Sequence, residues 1–291
     1  MPDEQQKYAT ARAFRVALKD RVKRVCRDNA TLRPEDLYRK IAFDRFLVRF
    51  DYKHWTLKGG YSLERRLPQI RATKDIDLAS TDAALILQDK EEQANLLINA
   101  IRKELAAKPV IDYFSFEIRK TKLLPGFGKG GVRCTVTALL DQEVICRFQL
   151  DVVTQDKCHL PRETVHGSDF LSFAGVDIPE FQASACEEVF AEKIHAFTKP
   201  RDEENTRVRD VIDMYRLIEK GLDQVKVATA LAGVFAIRNE HLLPQELPPP
   251  PTSWQPVFNE FAQENAINLS LQEAFDIVAS FYQAVRLTQG L

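Results

Sequence analysis

Asp75-Ile76-Asp77-Leu78 alternates carboxylate and apolar side chains, the pattern of a β-strand with one polar and one buried face. Period two puts Asp75 and Asp77 on the same face, with Cα atoms about 6 to 7 Å apart. Two hard oxygen donors at that spacing suit one Mg²⁺ (or Mn²⁺), an ion held by one or two carboxylates plus substrate phosphates. Upstream, the run His54-Trp55-Thr56-Leu57 reads as a strand ending in Gly59-Gly60, followed by Ser62 and a short helical pattern through Leu63 and Leu67. Two glycines let a triphosphate approach the backbone, and amides at a helix N-terminus, with the Ser62 hydroxyl, bind phosphate oxygens. Taken singly, each half is also what a solvated strand face or a plain tight turn looks like. Their order and spacing are what make a nucleotide-and-metal site.

The elements that position this block come next. Residues 7 to 33 read as one long helix with apolar positions at Phe14, Leu18, Val22 and Val25. The same segment carries nine basic residues, among them Arg21, Lys23 and Arg24, against Asp20 and Asp28. Such a surplus fits either a track for a phosphate backbone or a solvated face paired with acids elsewhere. A second helix starts at Pro34 and runs through Leu37, Ile41, Phe46 and Phe50. After the Asp75–Leu78 strand come a helix over about residues 89 to 107 and three extended segments, Tyr113–Thr121, Val132–Leu140 and Glu143–Thr154. The first two are joined by PGFGKGG, which formally spells GxGxxG through Gly126, Gly128 and Gly131. A strand follows it, not a helix, so it reads as a hairpin loop, not a dinucleotide site. No GxxxxGK[ST] occurs, which excludes a P-loop enzyme.

In the third segment, alternation puts Val144, Cys146, Phe148, Leu150 and Val152 on one side and Ile145, Arg147, Gln149 and Asp151 on the other. Asp151 is a lone carboxylate near the end of a strand, either a third acid or a strand-end surface residue. From Ser184 the period becomes helical, with Ser184 as cap and Glu187 completing a capping box. Val189, Phe190, Ile194 and Phe197 form its apolar face, with Lys193 beside it in AEKIHAF, and RVRDVIDMYRL carrying Asp210 follows. On composition alone Lys193 and Asp210 are helix-surface charges. A Pro-rich run, LPQELPPPPTSWQP, reads as a connector before a last helix with a stripe from Leu271 to Val285.

Composition bounds the rest. At 291 residues and 45% hydrophobic content the chain has ample material for a core. Its formal charge of −1 excludes a globally basic nucleic-acid binder but leaves local patches open. Five cysteines without a CxxC pair predict free thiols in a reducing compartment, and Cys158-His159 with His166 is at most a partial metal set. With no apolar leader and no run of 18 apolar residues, the expected location is the cytoplasm.

The Gly-Gly/Ser turn followed by a DxD strand resembles the nucleotidyltransferase fold of the DNA polymerase β type. More narrowly, LKGGYS followed by TKDID resembles the AbiEii/AbiGii (MenT-type) nucleotidyltransferase toxins, whose block is LKGG...S...(S/T)KDxD. AEKIHA and RVRDVIDMYRL match that family's third and fourth motifs in order, so the likeness spans about residues 57 to 218. It implies an α+β fold: a polymerase-β-like catalytic domain with a mixed sheet over 1–180, then a mainly helical domain over 181–291 completing the cleft. It also implies roles. Asp75 and Asp77 would ligate Mg²⁺, and Asp151 would be the third acid. Gly59, Gly60, Ser62 and Lys193 would bind the nucleotide, and Asp210 would orient Lys193 or the acceptor. The expected partners are an NTP, an RNA acceptor that is typically the tRNA 3′ end, and a cognate antitoxin. Arg65, Arg66 and Arg71, with the basic N-terminal helix, are the expected RNA contacts. Two other readings stay open: transfer to a small-molecule or protein hydroxyl, and a non-catalytic RNA-binding module.

Overall fold

The computed structural model describes residues 7–67, 72–87, 89–107, 110, 112–124, 130–154, 159–202 and 205–290. In chain order the elements are α1 (Ala11–Asp28), α2 (Pro34–Leu47), β1 (Trp55–Lys58), α3 (Gly59–Glu64), β2 (Asp75–Ser80), α4 (Lys90–Ala107), β3 (Phe114–Leu124), β4 (Gly131–Leu140), β5 (Glu143–Thr154), β6 (Glu163–His166), β7 (Glu180–Ala183), α5 (Cys186–Thr198), α6 (Val208–Lys220), α7 (Gln224–Arg238), α8 (Gln255–Glu264) and α9 (Leu271–Gln289). They fall into two compact units. One comprises Met1–Tyr61, Ala72–Asp156 and Thr164–Ala183; the other comprises Ser62–Arg71, Lys157–Glu163 and Ser184–Leu291. The sequence reading placed a single boundary at 180/181; the chain also crosses between units at two short segments it did not anticipate.

The first unit is built on one mixed seven-stranded sheet in the order β3-β4-β5-β2-β1-β7-β6. β3, β4 and β5 form an antiparallel meander, β2 joins β5 in parallel, and β1 is antiparallel to β2 and parallel to β7. Phe43, Phe46 and Leu47 of α2 pack with Leu97, Ile98 and Ile101 of α4 and with Ile76, Leu78, Val136, Phe148 and Leu150 of the strands. Each such side chain contributes about 1.5–3 kcal/mol on burial, and a one-residue slip would turn all of them outward. The register is thereby pinned, and Asp75, Asp77 and Asp151 are held on the opposite face. Buried Asp112 accepts from Arg45 (2.6 Å) and Arg49 (2.7 Å), a charge cluster with no sequence signal.

Two sequence expectations need adjusting here. The helix read over 7–33 is shorter, because Thr10 caps it by accepting from the Ala13 N–H (3.1 Å) and Asn29 leaves the helical region. In β5 the alternation holds from Cys146 onward, but a register shift at Ala138/Leu139 reverses the phase near the hairpin. Val144 is therefore exposed, while Ile145 packs against Phe14 and its neighbours. Gly126 and Gly128 lie outside the described residues; the antiparallel pairing of β3 with β4 on either side of them is that of a hairpin.

The second unit is helical, with α5, α6, α7, α8 and α9 around a core that includes Phe190, Phe197, Leu217, Leu231, Phe258 and Tyr282. Ser184 is not the cap of α5. The helix begins at Cys186 with Ala185 at the cap and no side-chain capping bond, so Glu187 stands one position too early for a capping box. Its carboxylate accepts instead from the Asp223 N–H (3.2 Å). The Pro-rich run is a strap: Leu247 and Trp254 are core, and the Pro244 carbonyl accepts from Tyr282 (2.5 Å). Among the described residues no helix is long and apolar enough to cross a membrane.

Candidate active site

Asp77 stands in the middle of a row of charged residues that crosses the sheet in register. Asp151 of β5 is its partner on one side and Lys58 of β1 its partner on the other. Arg133 of β4 is the partner of Asp151, and Lys122 of β3 that of Arg133. Parallel strands lie about 4.8 Å apart, so the Asp77 and Asp151 carboxylates share one small region. Asp75 sits two residues before Asp77 on the same face, and its Oδ1 accepts from the Thr73 hydroxyl (2.9 Å).

Arg133 is the residue the sequence reading missed. Its Nε and Nη2 donate to the two oxygens of Asp151 at 2.6 and 2.5 Å, a bidentate clamp. The hydrogen bond to Asp151 raises the Arg133 pKa above its ordinary value, and the charges of Asp75 and Asp77 act in the same direction. Asp151 thus stands beside the Asp75–Asp77 pair with its charge compensated. A cationic residue directly opposite a strand carboxylate is visible only once strand pairing is known.

The Gly-Gly turn lies against the same carboxylates. Gly59 has φ +63°, and a Cβ there would overlap the Asp77 carboxylate; one on Gly60 would meet the Thr73 hydroxyl at 2.8 Å. Only glycine meets both demands at position 59. Behind the turn, the buried Asp44 carboxylate accepts from the Tyr61 hydroxyl (2.5 Å) and from the Ser168 N–H (2.8 Å), fixing where the turn sits.

Other expected contacts are less available than the sequence suggested. α3 has only six residues, so little dipole accumulates at its start, and Ser62 is buried and engaged by neighbours. Arg66 is drawn inward beside Glu163 (3.2 Å) with its side chain 7% exposed, and Arg65 is half-buried and engaged. Arg71 lies outside the described residues. Lys74, next to Asp75, is exposed. On α1, Arg21, Lys23 and Arg24 are exposed and make no ion pair among the described residues, whereas Arg15 and Lys19 pair with Asp141 and Glu143.

In the helical unit, Lys193 is not a surface charge. Its ammonium donates to Asp210 (2.8 Å) and Asp213 (2.7 Å), and the three side chains are 14%, 11% and 4% exposed. Burial lowers the Lys193 pKa, but the two aspartates outweigh it and hold the pKa above its ordinary value. Asp210 and Asp213 are three apart on α6, which puts both on one face. Asp213 was within reach of the sequence, as the second carboxylate of RVRDVIDM.

Among the described residues, no group of three or more His, Cys, Asp or Glu side chains converges to hold a metal. Cys158 is outside that range, and His166 lies near Glu180 (3.6 Å) instead. Asp75 and Asp77 fit a hard cation whose remaining positions are filled by phosphate oxygens and water, the way Mg²⁺ is held.

The profile of the family described as "Nucleotidyl transferase AbiEii toxin, Type IV TA system" matches residues 42–280. No curated protein sequence matches the chain. Among solved structures, the chain is similar to MenT4, a nucleotidyltransferase toxin from Mycobacterium tuberculosis H37Rv. That match has a TM-score of 0.52 at 16% identity and covers 91% of this chain and 98% of that one. A second match is JHP933 from Helicobacter pylori, at TM-score 0.49 and 12% identity, covering 88% and 94%. The likeness to MenT4 is one of fold, and it agrees with the mixed sheet and helical unit described above. With a profile match over most of its length, this chain belongs to the AbiEii nucleotidyltransferase toxins of type IV toxin–antitoxin systems.

Proposed function

We propose that the chain transfers a nucleoside monophosphate from an NTP to RNA in the cytoplasm, the tRNA 3′ end being the acceptor the resemblance implies. The outcome is blocked translation and growth, relieved by a cognate antitoxin. The observation that carries this reading is the in-register row Lys58–Asp77–Asp151–Arg133 with Gly59 pressed against Asp77. Asp75 and Asp77 would hold Mg²⁺ or Mn²⁺, which when bound neutralises triphosphate charge and favours in-line displacement at the α-phosphorus. Gly59 and Gly60 let the phosphates approach the backbone. Arg133 keeps Asp151 oriented and compensated, so the carboxylates do not repel an incoming polyanion. Lys193, with its charge held by Asp210 and Asp213, is the cation assigned to the nucleotide phosphates. The free cations of α1 support a polyanionic acceptor over a small one.

The test is to offer the protein each α-labelled NTP with total RNA and Mg²⁺. Label should enter small RNA with at least one NTP, and expression of the chain should slow bacterial growth while Lys193→Ala at equal level does not. Label entering only a small molecule or a protein would overturn the RNA reading.

A further inference from the structure

The carboxylate face of the sheet does not end at Asp151. It continues across β4, where its residues are partly buried, to β3, where they are exposed. One rung along the strands from Asp77–Asp151–Arg133, residues Asp75, Gln149, Thr135 and Arg119 stand in register. On the next rung Arg147, Thr137 and Glu117 do the same. Arg119, Arg147, Gln149 and Lys122 are exposed. Arg119, Lys122 and Arg147 make no ion pair or hydrogen bond among the described residues, and Glu117 is the acid they face.

Lys122 is on this face because β3 breaks its own alternation. A register shift between Lys120 and Lys122 leaves Lys120 on the covered side, paired with Glu91 of α4, and puts Lys122 opposite Arg133. Thr121 is turned to the open side as well, its hydroxyl 3.1 Å from that of Thr135. Bulges re-aim side chains beside functional sites. Here the effect is to add a cation to the row that contains Asp77.

We infer that the open face of β3–β4–β5 is the track for the acceptor RNA, a single strand whose last two or three phosphates run over Arg119, Lys122 and Arg147 to end at Asp75 and Asp77. This rests on the RNA-transfer reading and specifies where that substrate lies. Two observations favour the occupant. The face is continuous with the DxD pair on the side away from Gly59 and Gly60, so triphosphate and acceptor approach from opposite flanks. Its free cations also outnumber its free acid. Arg147 lies about 13 Å along β5 from Asp151, a span of roughly two nucleotides. Recognition through phosphates with Thr and Gln hydroxyl and amide groups, and no aromatic ring among the described residues of the face, predicts little base preference.

The test is binding without turnover. A fluorescein-labelled ten-nucleotide single-stranded RNA is titrated against the wild type and the R119A/K122A/R147A variant, from 50 to 200 mM KCl without NTP. A fluorescent NTP is titrated separately. The variant should bind RNA tenfold or more weakly at 50 mM KCl. Its salt slope should fall by about 2, from three lost contacts at roughly 0.7 each. NTP affinity and thermal unfolding should match the wild type. A variant with unchanged RNA affinity and slope overturns the track and leaves RNA transfer standing. Polyglutamate of equal charge competing as well as RNA on the wild type would make the face a seat for an acidic protein, and overturn the proposal. A wild type that neither binds RNA nor labels it overturns the transfer reading and the track together.

Discussion

The sheet and the helical unit hold their charged residues in opposite ways. On the sheet, period two sets Asp75, Asp77 and Asp151 on a half-buried polar face, and the apolar alternate residues do the folding. Asp75 and Asp77 can be exchanged for other polar residues without touching Ile76 or Leu78. On α5 and α6 the charges are nearly buried and satisfied by each other: Lys193 needs Asp210 and Asp213 there, and they need it. The difference teaches where function and stability are separable. Removing Asp75 or Asp77 takes nothing from the apolar core, whereas removing Lys193 leaves Asp213 buried without its cation and Asp210 with only Arg207, at 3.5 Å.

The sharpest break of this contrast is Asp77→Asn. It should lower transfer by a thousandfold or more, measured as label incorporation, while the thermal midpoint stays within about 2 °C of wild type. A large loss of stability would mean the sheet face is structural after all.

Lys193→Met should show the mixed behaviour. The loss of activity should be accompanied by a destabilisation of about 3–5 kcal/mol in urea unfolding, because buried Asp213 loses its cation and Asp210 keeps only Arg207. The double change Lys193→Met with Asp213→Leu should recover part of the stability and none of the activity.

A third prediction concerns pH. His195 on α5 is fully buried, and burial first, then the charges of Arg238 and His241, lower its pKa to about 4; Glu240 opposes them. The folded state therefore binds its proton less readily than the unfolded chain does. Its stabilising contribution is complete above the unfolded pKa near 6.5 and declines between pH 6.5 and 4, by up to about 3 kcal/mol. His195→Gln should flatten the pH dependence of unfolding over that interval.

The smallest expected effect separates the sheet track from α1. Changing Arg21, Lys23 and Arg24 together to Gln should lower the salt slope of RNA binding by up to about 2 and raise the apparent RNA KM a few-fold, with NTP affinity unchanged. An unaltered slope would make those residues ordinary solvated surface.

Much of the sheet was legible in the sequence because a strand writes its two faces into alternate residues. Asp75–Leu78 and Glu143–Thr154 needed no knowledge of neighbours, and β5 was read to its observed ends. What pairs with what is not written locally. Arg133 opposite Asp151, Lys58 opposite Asp77 and the bulge that turns Lys122 outward all depend on registers between segments far apart in the chain. The short strands β6 and β7 carry only four residues each, too few for a period to show. Burial of Lys193 was hidden for a related reason: its counter-charges come from another helix. Ser184 failed as a cap because a capping box needs the helix to begin one residue earlier than it does.

Single-turnover transfer from a saturating labelled NTP to RNA should be compared for wild type, Asp75→Asn and Asp77→Asn, with folding checked by circular dichroism. Label should enter RNA with the wild type, and transfer should be at least a thousandfold slower in both variants, each folded as the wild type is. Transfer by either variant within tenfold of the wild-type rate would contradict the roles given to Asp75 and Asp77.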